Sequence, residues 1–464
     1  MKHRGHGQKS LSALFVTSLA LLWACPGTRA ADAEWKAGLA QAQITPEQPV
    51  LMAGYANRTK PFEKVAADLY VKALVLEDST GRRAAIVTSD LIGFSAAVAE
   101  PICARISAKT GLKRAQILLS AAHNHAGPQL GVKAPAKDAA NAGEALRTVE
   151  YTRQLQDKVV EVVAQAAAHL EPARLSWGSG LVHFVMNRRE FTPNGVILGV
   201  NPRGLADRSV PVLRVDGVDG KPRAVLFQAA THNTTLTGDN YEISGDYAGF
   251  AQTYVHERYP SAQTMFILGC AGDSNPYPRG TLALAKEHGA TLGKEVCRVL
   301  ESKLRPVTGP LQIAFDQVDL PLQTSLAREE LQKLSANKRF AGTGVASQLL
   351  TMRERGEKPP THYRCPVTVW QFGRDLTLVG LAGEVVVDYV SFLERALGPN
   401  QLWVAAYCND VFGYLPSARV LQEGGYETRG LYSGGPGFFD PKAQDVLVHK
   451  ARELAQKVGR KVPE

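Results

Sequence analysis

The sequence predicts an α/β fold in which mixed β-sheets are flanked by helices. Apolar runs of strand length end in polar or glycine-rich loops and lead into helical segments, the alternation that builds layered α/β architectures. These runs also lack a clean polar/apolar alternation, which marks strands buried on both faces. In open α/β sheets, ligands bind outside the carboxyl ends of the strands. His123, His125, His232, Asp273, Glu384 and Asn409 all fall at such ends, so one shared site is expected there.

The elements follow in order. Residues 84–89 (AAIVTS) read as a buried strand, followed by Asp90 and a helix near 95–109. Residues 116–121 (QILLSA) form the next strand and run into His123-Asn124-His125-Ala126-Gly127-Pro128. A long amphipathic helix fits 147–170. Residues 223–230 (RAVLFQAA) form a strand ending in Thr231-His232-Asn233, and 264–269 (TMFILG) one ending in Gly272-Asp273-Ser274-Asn275-Pro276, with a helix near 281–302. Residues 375–381 lead to Gly383-Glu384, where a helix begins and runs to about 396, and 401–406 (QLWVAA) end at Asn409-Asp410. The charged segment 320–360 reads as a helical surface insertion in a single domain spanning 31–464.

The chain has 464 residues, 45% hydrophobic and 21% charged, an ordinary globular composition that excludes disorder and collagen. Lys and Arg exceed Asp and Glu by 53 to 44. Lys2, Arg4, Lys9 and Arg29 lie in a first thirty residues without acids, so 49 against 44 remain beyond them. No Lys/Arg run makes a phosphate-binding stripe, and no nucleic-acid partner is expected. Residues 1–10 are basic and polar, 11–25 are apolar, and small residues follow at Ala30 and Ala31: the shape of a signal peptide over 1–30. An exported, periplasmic or extracellular protein is expected. Leu22-Trp23-Ala24-Cys25 also fits a lipoprotein cleavage site, with Cys25 as an anchor. The five later cysteines (103, 270, 297, 365, 408) form no C-x-x-C pair and read mostly as buried small hydrophobes.

His123-Asn124-His125 is an H-x-H pair, and on an extended chain both side chains share a face. Two imidazoles there can approach one cation, or one can bind while the other acts as acid or base. Catalytic zinc takes about three N/O ligands and keeps a position for water. His232 and Glu384 stand at equivalent strand ends and supply further candidates. Bland readings remain beside these: a capping role for His232, a carboxylate favoured by a helix start for Glu384, and a turn with N-cap for 272–276. There is no G-x-S-x-G and no G-x-x-x-x-G-K.

Several segments together resemble the neutral/alkaline non-lysosomal ceramidase family. They are 37–46, Met52-Ala53-Gly54-Tyr55-Ala56, Ser89-Asp90, Ser120 to Pro128, Asn187-Arg188, Ala230 to Thr234, Ser244 to Tyr247, Gly272 to Pro276, Ala382-Gly383-Glu384, and Asn409 to Tyr414 with Tyr426-Glu427. The resemblance implies zinc-dependent hydrolysis of an N-acylsphingosine amide. It implies His123, His232, Glu384 and Tyr414 as Zn2+ ligands, His125 beside the metal, and Arg188 and Tyr426 in the active site. Two departures weaken the ceramide assignment more than they weaken zinc hydrolysis. The family's catalytic serine aligns with Asn275, and Ser274 stands one position earlier. Only 38 residues follow Tyr426, so the family's C-terminal β-sandwich is expected to be missing.

The implied mechanism uses zinc-generated hydroxide on an N-acyl amide or ester. Zinc, Tyr426 and Arg188 are candidates to stabilise the oxyanion, and His125 to carry the proton. Asn275 is a candidate hydrogen-bond donor. Asp90 or Asp246 either orients a ligand imidazole or is a structural carboxylate bonded to loop amides. The expected partner is a small-molecule or lipid N-acyl substrate, with peripheral membrane contact left open. Two other classes stay open: a zinc hydrolase of phosphate, sulfate or sugar-derived esters, and a non-catalytic binding protein on the same scaffold.

Overall fold

A computed structural model describes residues 34–133, 142–324, 326–337 and 342–463. The expected signal peptide and the Cys25 anchor lie outside these residues. Two sheets form the centre. The larger has nine strands and runs in space from Gln263–Leu268 through Pro222–Ala229, Ser209–Gly217, Glu171–Leu181, Trp35–Gln43, Tyr70–Asp78 and Arg83–Ser89 to Ile117–Ala121; Arg305–Val307 adds beside Glu171–Leu181. The smaller runs Leu311–Pro321, His362–Phe372, Leu376–Leu381, Leu402–Ala405. Parallel pairs join Arg83–Ser89 to Ile117–Ala121, Pro222–Ala229 to Gln263–Leu268, and Leu376–Leu381 to Leu402–Ala405. The other neighbours in the two sheets are antiparallel, so both sheets are mixed as expected.

The strands are buried on both faces because each face meets a different layer. Ala224, Leu226, Met265 and Ile267 pack with Trp370, Leu378 and Trp403 between the two sheets. Their neighbours Val225, Phe227, Phe266 and Leu268 turn the other way, into a core shared with Tyr247, Ala251, Leu292 and Val296 of two helices. Val71, Ala73 and Val87 pack outward with Ile102, Ile106 and Val159 of two further helices. This layering explains why these strands read as continuous apolar runs rather than alternating ones.

The expected helices appear at Ala96–Thr110, Ala142–Ala168, Leu282–Leu300 and Asp388–Leu397. Two helices, Arg328–Ala336 and Thr343–Glu354, fall within 320–360. Glu384 does not begin a helix. Glu384-Val385 is a short strand paired in parallel with Tyr414-Leu415, and the helix starts at Asp388. The antiparallel strands between 171 and 217, and the long Leu311–Pro321 and His362–Phe372 pair, were not anticipated; they follow no strand-then-helix pattern. The five cysteines from Cys103 onward are buried and free. Among the described residues, no helix is long and apolar enough to cross a membrane.

Asp410 ties a loop at the end of the smaller sheet to the larger one. Its carboxylate accepts the Ala96 amide at the start of Ala96–Thr110 and the Tyr363 hydroxyl. Burial pushes its pKa up to about 6. A carboxyl whose folded pKa is raised holds its proton more tightly than the unfolded chain does, so its contribution to stability is lost as pH rises from about 4 to 6. The stability difference between wild type and Asp410→Asn, followed by urea unfolding, should therefore shrink by about 2–3 kcal/mol from pH 4 to pH 7.

Candidate active site

Four loops at strand ends deliver the chemistry. After Ile117–Ala121 the chain turns sharply: His123 has a left-handed φ of 53°, an unusual conformation for a non-glycine residue. The H-x-H pair is therefore not an extended segment. The kink still brings His125 Nε2 to 3.1 Å from His123 Nε2. Residues 231–233 follow Pro222–Ala229, and Asn124 bridges to Asn233, which sets His232 beside His123 with ring centroids 4.6 Å apart. Glu384 and Tyr414 are register partners in their short parallel pair. Gly272 fits closely against the Glu384–Val385 backbone, where a side chain would come within 2.6 Å of the Glu384 carbonyl oxygen.

The hydrogen bonds fix the imidazole tautomers. His123 Nδ1 lies 2.7 Å from the Ile92 carbonyl, and His232 Nδ1 lies 2.8 Å from the Ala271 carbonyl. A carbonyl only accepts, so each Nδ1 carries the proton and each Nε2 presents a lone pair. Glu384 Oε2 stands 3.1 Å from both Nε2 atoms, and all three side chains are almost fully buried. Protonating both rings would satisfy the carboxylate, but burial, with Arg188 nearby, lowers the His232 pKa to about 3. Without a cation, Glu384 ionises well below the ordinary carboxylate range: burial opposes this, but charge and hydrogen bonding from the facing His123 and His232 outweigh it. With each Nδ1 committed to a carbonyl, both Nε2 atoms and a carboxylate oxygen converge on one point, where a divalent cation can take the place of any shared proton. Ligand atoms about 2.0–2.1 Å from a tetrahedral zinc stand roughly 3.4 Å apart, close to the separations found. The residues therefore fit such an ion.

His125 also belongs to this cluster, since ligand atoms of His123, His125 and His232 lie within 4.8 Å of one another. Its pKa is well below 6.5, first through burial and then through the neighbouring rings, and its Nδ1 is buried without a partner. Gly54 packs against the ring so closely that a Cβ would fall 2.2 Å from Nδ1. Tyr414 Oη lies 3.4 Å from His232 Nε2 and accepts a 2.8 Å hydrogen bond from Arg188 Nη2. Burial raises its pKa well above 10. Tyr432 donates to the other Glu384 oxygen at 2.9 Å, and the Tyr407 ring lies 4.6 Å from that of His123. Neither tyrosine was anticipated; each reaches the site through a loop with no motif of its own.

Arg188, Tyr426 and Asn275 join the site, whereas Ser274 does not. Asn275 Oδ1 accepts from Thr234 Oγ1 at 3.1 Å and faces Arg188 Nη1 at 3.4 Å, which leaves its amide nitrogen as a donor. In the short Ser274–Pro276 strand, Ser274 lies outside the cavities, its hydroxyl buried without a partner, and its carbonyl accepts the His232 amide. Asp273 and Asn409 also lie outside. Asp273 accepts from the Val387 amide and Asn187, and Asn409 bonds Leu119 and Thr368. Asp90 and Asp246 touch no imidazole. They accept from Tyr70, Gln252, Leu236 and Tyr247, the structural alternative.

Two cavities meet at His125, Tyr414 and Tyr426. One, of about 680 Å³, is walled by Leu51, Met52, Ile92, Val98, Leu130 and Val411. The other, of about 400 Å³, is bounded by Met186, Arg188, Leu198, Asn275 and Arg279. Buried Glu427 holds Arg188 Nε at 2.9 Å and Arg189 Nη1 at 2.5 Å. Glu427→Gln leaves two guanidinium groups undercompensated and should cost about 3–5 kcal/mol in denaturant unfolding.

Residues 35–340 match the sequence model for the neutral/alkaline non-lysosomal ceramidase N-terminal region. The chain is 26% identical over 316 residues to a neutral ceramidase of Pseudomonas aeruginosa, covering 67% of this chain and 43% of that protein. It is 25% identical over 224 residues to neutral ceramidase B of Dictyostelium discoideum, covering 45% and 29%. The chain thus matches less than half the length of these relatives. The crystal structure of the Pseudomonas aeruginosa neutral ceramidase superposes with a TM-score of 0.70 at 21% identity, over 93% of this chain and 77% of that one. The match over residues 35–340 and the superposed fold lead to one conclusion: the chain belongs to the neutral/alkaline non-lysosomal ceramidase family.

Proposed function

We propose that this protein is a zinc-dependent hydrolase of N-acyl amides, ceramide-like in substrate class, that also accepts the corresponding esters. The convergence of the His123 and His232 Nε2 atoms on one Glu384 oxygen, each at 3.1 Å, at the junction of two cavities, carries the reading. Membership of the ceramidase family and the relatives' names support the acyl-amide class. The basic–apolar–small pattern of residues 1–30 supports export.

His123, His232 and Glu384 would hold the metal, with Tyr414 or His125 beside them. A zinc ion in such a site supplies a Lewis acid and lowers the pKa of water to about 7. The protein's own groups do the rest. His125, kept neutral by burial, accepts the proton of the attacking water and returns it to the departing amine. Arg188, held by Glu427 and Tyr414, keeps positive charge beside the carbonyl. Asn275 offers its free amide hydrogens where charge develops on oxygen. It has no nucleophilic oxygen, so the reaction runs by direct attack of water. Arg429 donates to Tyr426 Oη, leaving the phenolic hydrogen free to point at the substrate.

Metal analysis of the purified protein, paired with fatty-acid release from an N-acylsphingosine, tests the proposal. His123→Ala and His232→Ala should each lose both bound zinc and hydrolysis while retaining the wild-type circular dichroism spectrum. Full activity of a metal-free preparation would defeat the mechanism.

A further inference from the structure

The smaller cavity differs in charge from the larger one. Each carries two guanidinium groups, Arg58 and Arg429 in the larger and Arg188 and Arg279 in the smaller, but only the larger also has a carboxylate, Glu384. The circumstances of Arg188 and Arg279 are unlike. Arg188 is neutralised by Glu427 and spends its donors on Glu427, Tyr414 and Asn275. Arg279 donates from Nη2 to Tyr55 Oη at 2.8 Å. Its Nε is buried without a partner, and among the described residues it forms no ion pair with a carboxylate. Asp246 lies within electrostatic reach, but its oxygens accept the Leu236 and Tyr247 amides. Arg58, on the other side of Tyr55, is no equivalent: it donates to the Ala53, His125 and Thr237 carbonyls.

The Tyr55 ring packs 4.9 Å from that of His125, so Arg279 is joined to the reacting centre through one side chain. Asn275 faces the same cavity with its amide donors free. A half-buried cation with unused donors, beside further donors and no acid, is a receptor for an oxyanion. Apart from Arg58, Arg429 and Glu384, the larger cavity is walled largely by aliphatic, thioether and aromatic side chains, which suits an acyl chain. An amide spanning the histidine cluster would then direct its amine portion into the smaller one.

We propose that the substrate carries an anionic group, a carboxylate or a phosphate, on its amine portion, and that Arg279 is the specificity-determining residue that docks it. This rests on the N-acyl hydrolase reading and narrows its substrate class.

Three probes of one acyl length test it: N-dodecanoylglycine, N-dodecanoylphosphoethanolamine and neutral N-dodecanoylethanolamine. Binding to the full chain after chelator treatment, by isothermal titration, should favour at least one anionic probe over the neutral one by about tenfold or more. Which anion is favoured tells carboxylate from phosphate. Arg279→Gln should abolish the preference, and Arg279→Lys should retain part of it. Equal binding of all three probes, or a preference unchanged in Arg279→Gln, would overturn the proposal. If Arg279→Gln fails to fold, Arg279→Met gives the same comparison. Hydrolysis by the metal-loaded chain is scored separately. Anion preference without cleavage of any probe would sink the hydrolase reading and leave the anion site standing; cleavage without anion preference would do the reverse.

Discussion

Everything at the site depends on a buried carboxylate facing the Nε2 atoms of two imidazoles whose Nδ1 positions are already taken. The Nδ1 protons of His123 and His232 are committed to the carbonyls of Ile92 and Ala271. Glu384 is nearly inaccessible to water. An unpaired buried carboxylate costs several kcal/mol, and polar groups enclosed in a fold are normally satisfied. The local demand for positive charge is thus written into the hydrogen-bonding pattern.

The fold meets that demand with backbone devices rather than with long side-chain networks. A left-handed residue turns the chain at His123, and a two-residue parallel pairing puts Glu384 and Tyr414 side by side. The sheets are stacked with cores on both faces, so the loops at their ends are fixed by packing on either side. Beside the carboxylate, Arg188, Arg189, Glu427 and Glu423 form a second, largely buried charge cluster that balances itself. A cluster of that kind is a modest source of stability, but it holds Arg188 in one orientation.

Much of this was legible in the sequence because strands buried on both faces leave long apolar runs, and the chemistry stands where those runs stop. The same logic singled out His123, His125, His232 and Glu384, which the fold brings together. It misled for Asp273 and Asn409, which end strands too but bond backbone and neighbouring polar groups. Periodicity says where a side chain emerges and not what it meets. The extended reading of His123–His125 failed because a positive φ on a non-glycine residue leaves no local signal. The helix expected at Glu384 failed because two paired residues are too short to show a period. Tyr407, Tyr432 and Arg279 stayed invisible, since loops gather them from distant parts of the chain. The resemblance found Arg188, Tyr414 and Tyr426 by motif, and the geometry gives each a place. It also pointed to Ser274 beside Asn275, and strand alternation separates the two: Asn275 borders the cavity and Ser274 does not.

Anomalous diffraction from crystals of the purified protein, collected on both sides of the zinc absorption edge, tests the cation-centred arrangement most directly. A single edge-dependent peak enclosed by His123 Nε2, His232 Nε2 and a Glu384 oxygen is the predicted result. A zinc-replete crystal with no peak there, in which these groups bond only to one another, would contradict it.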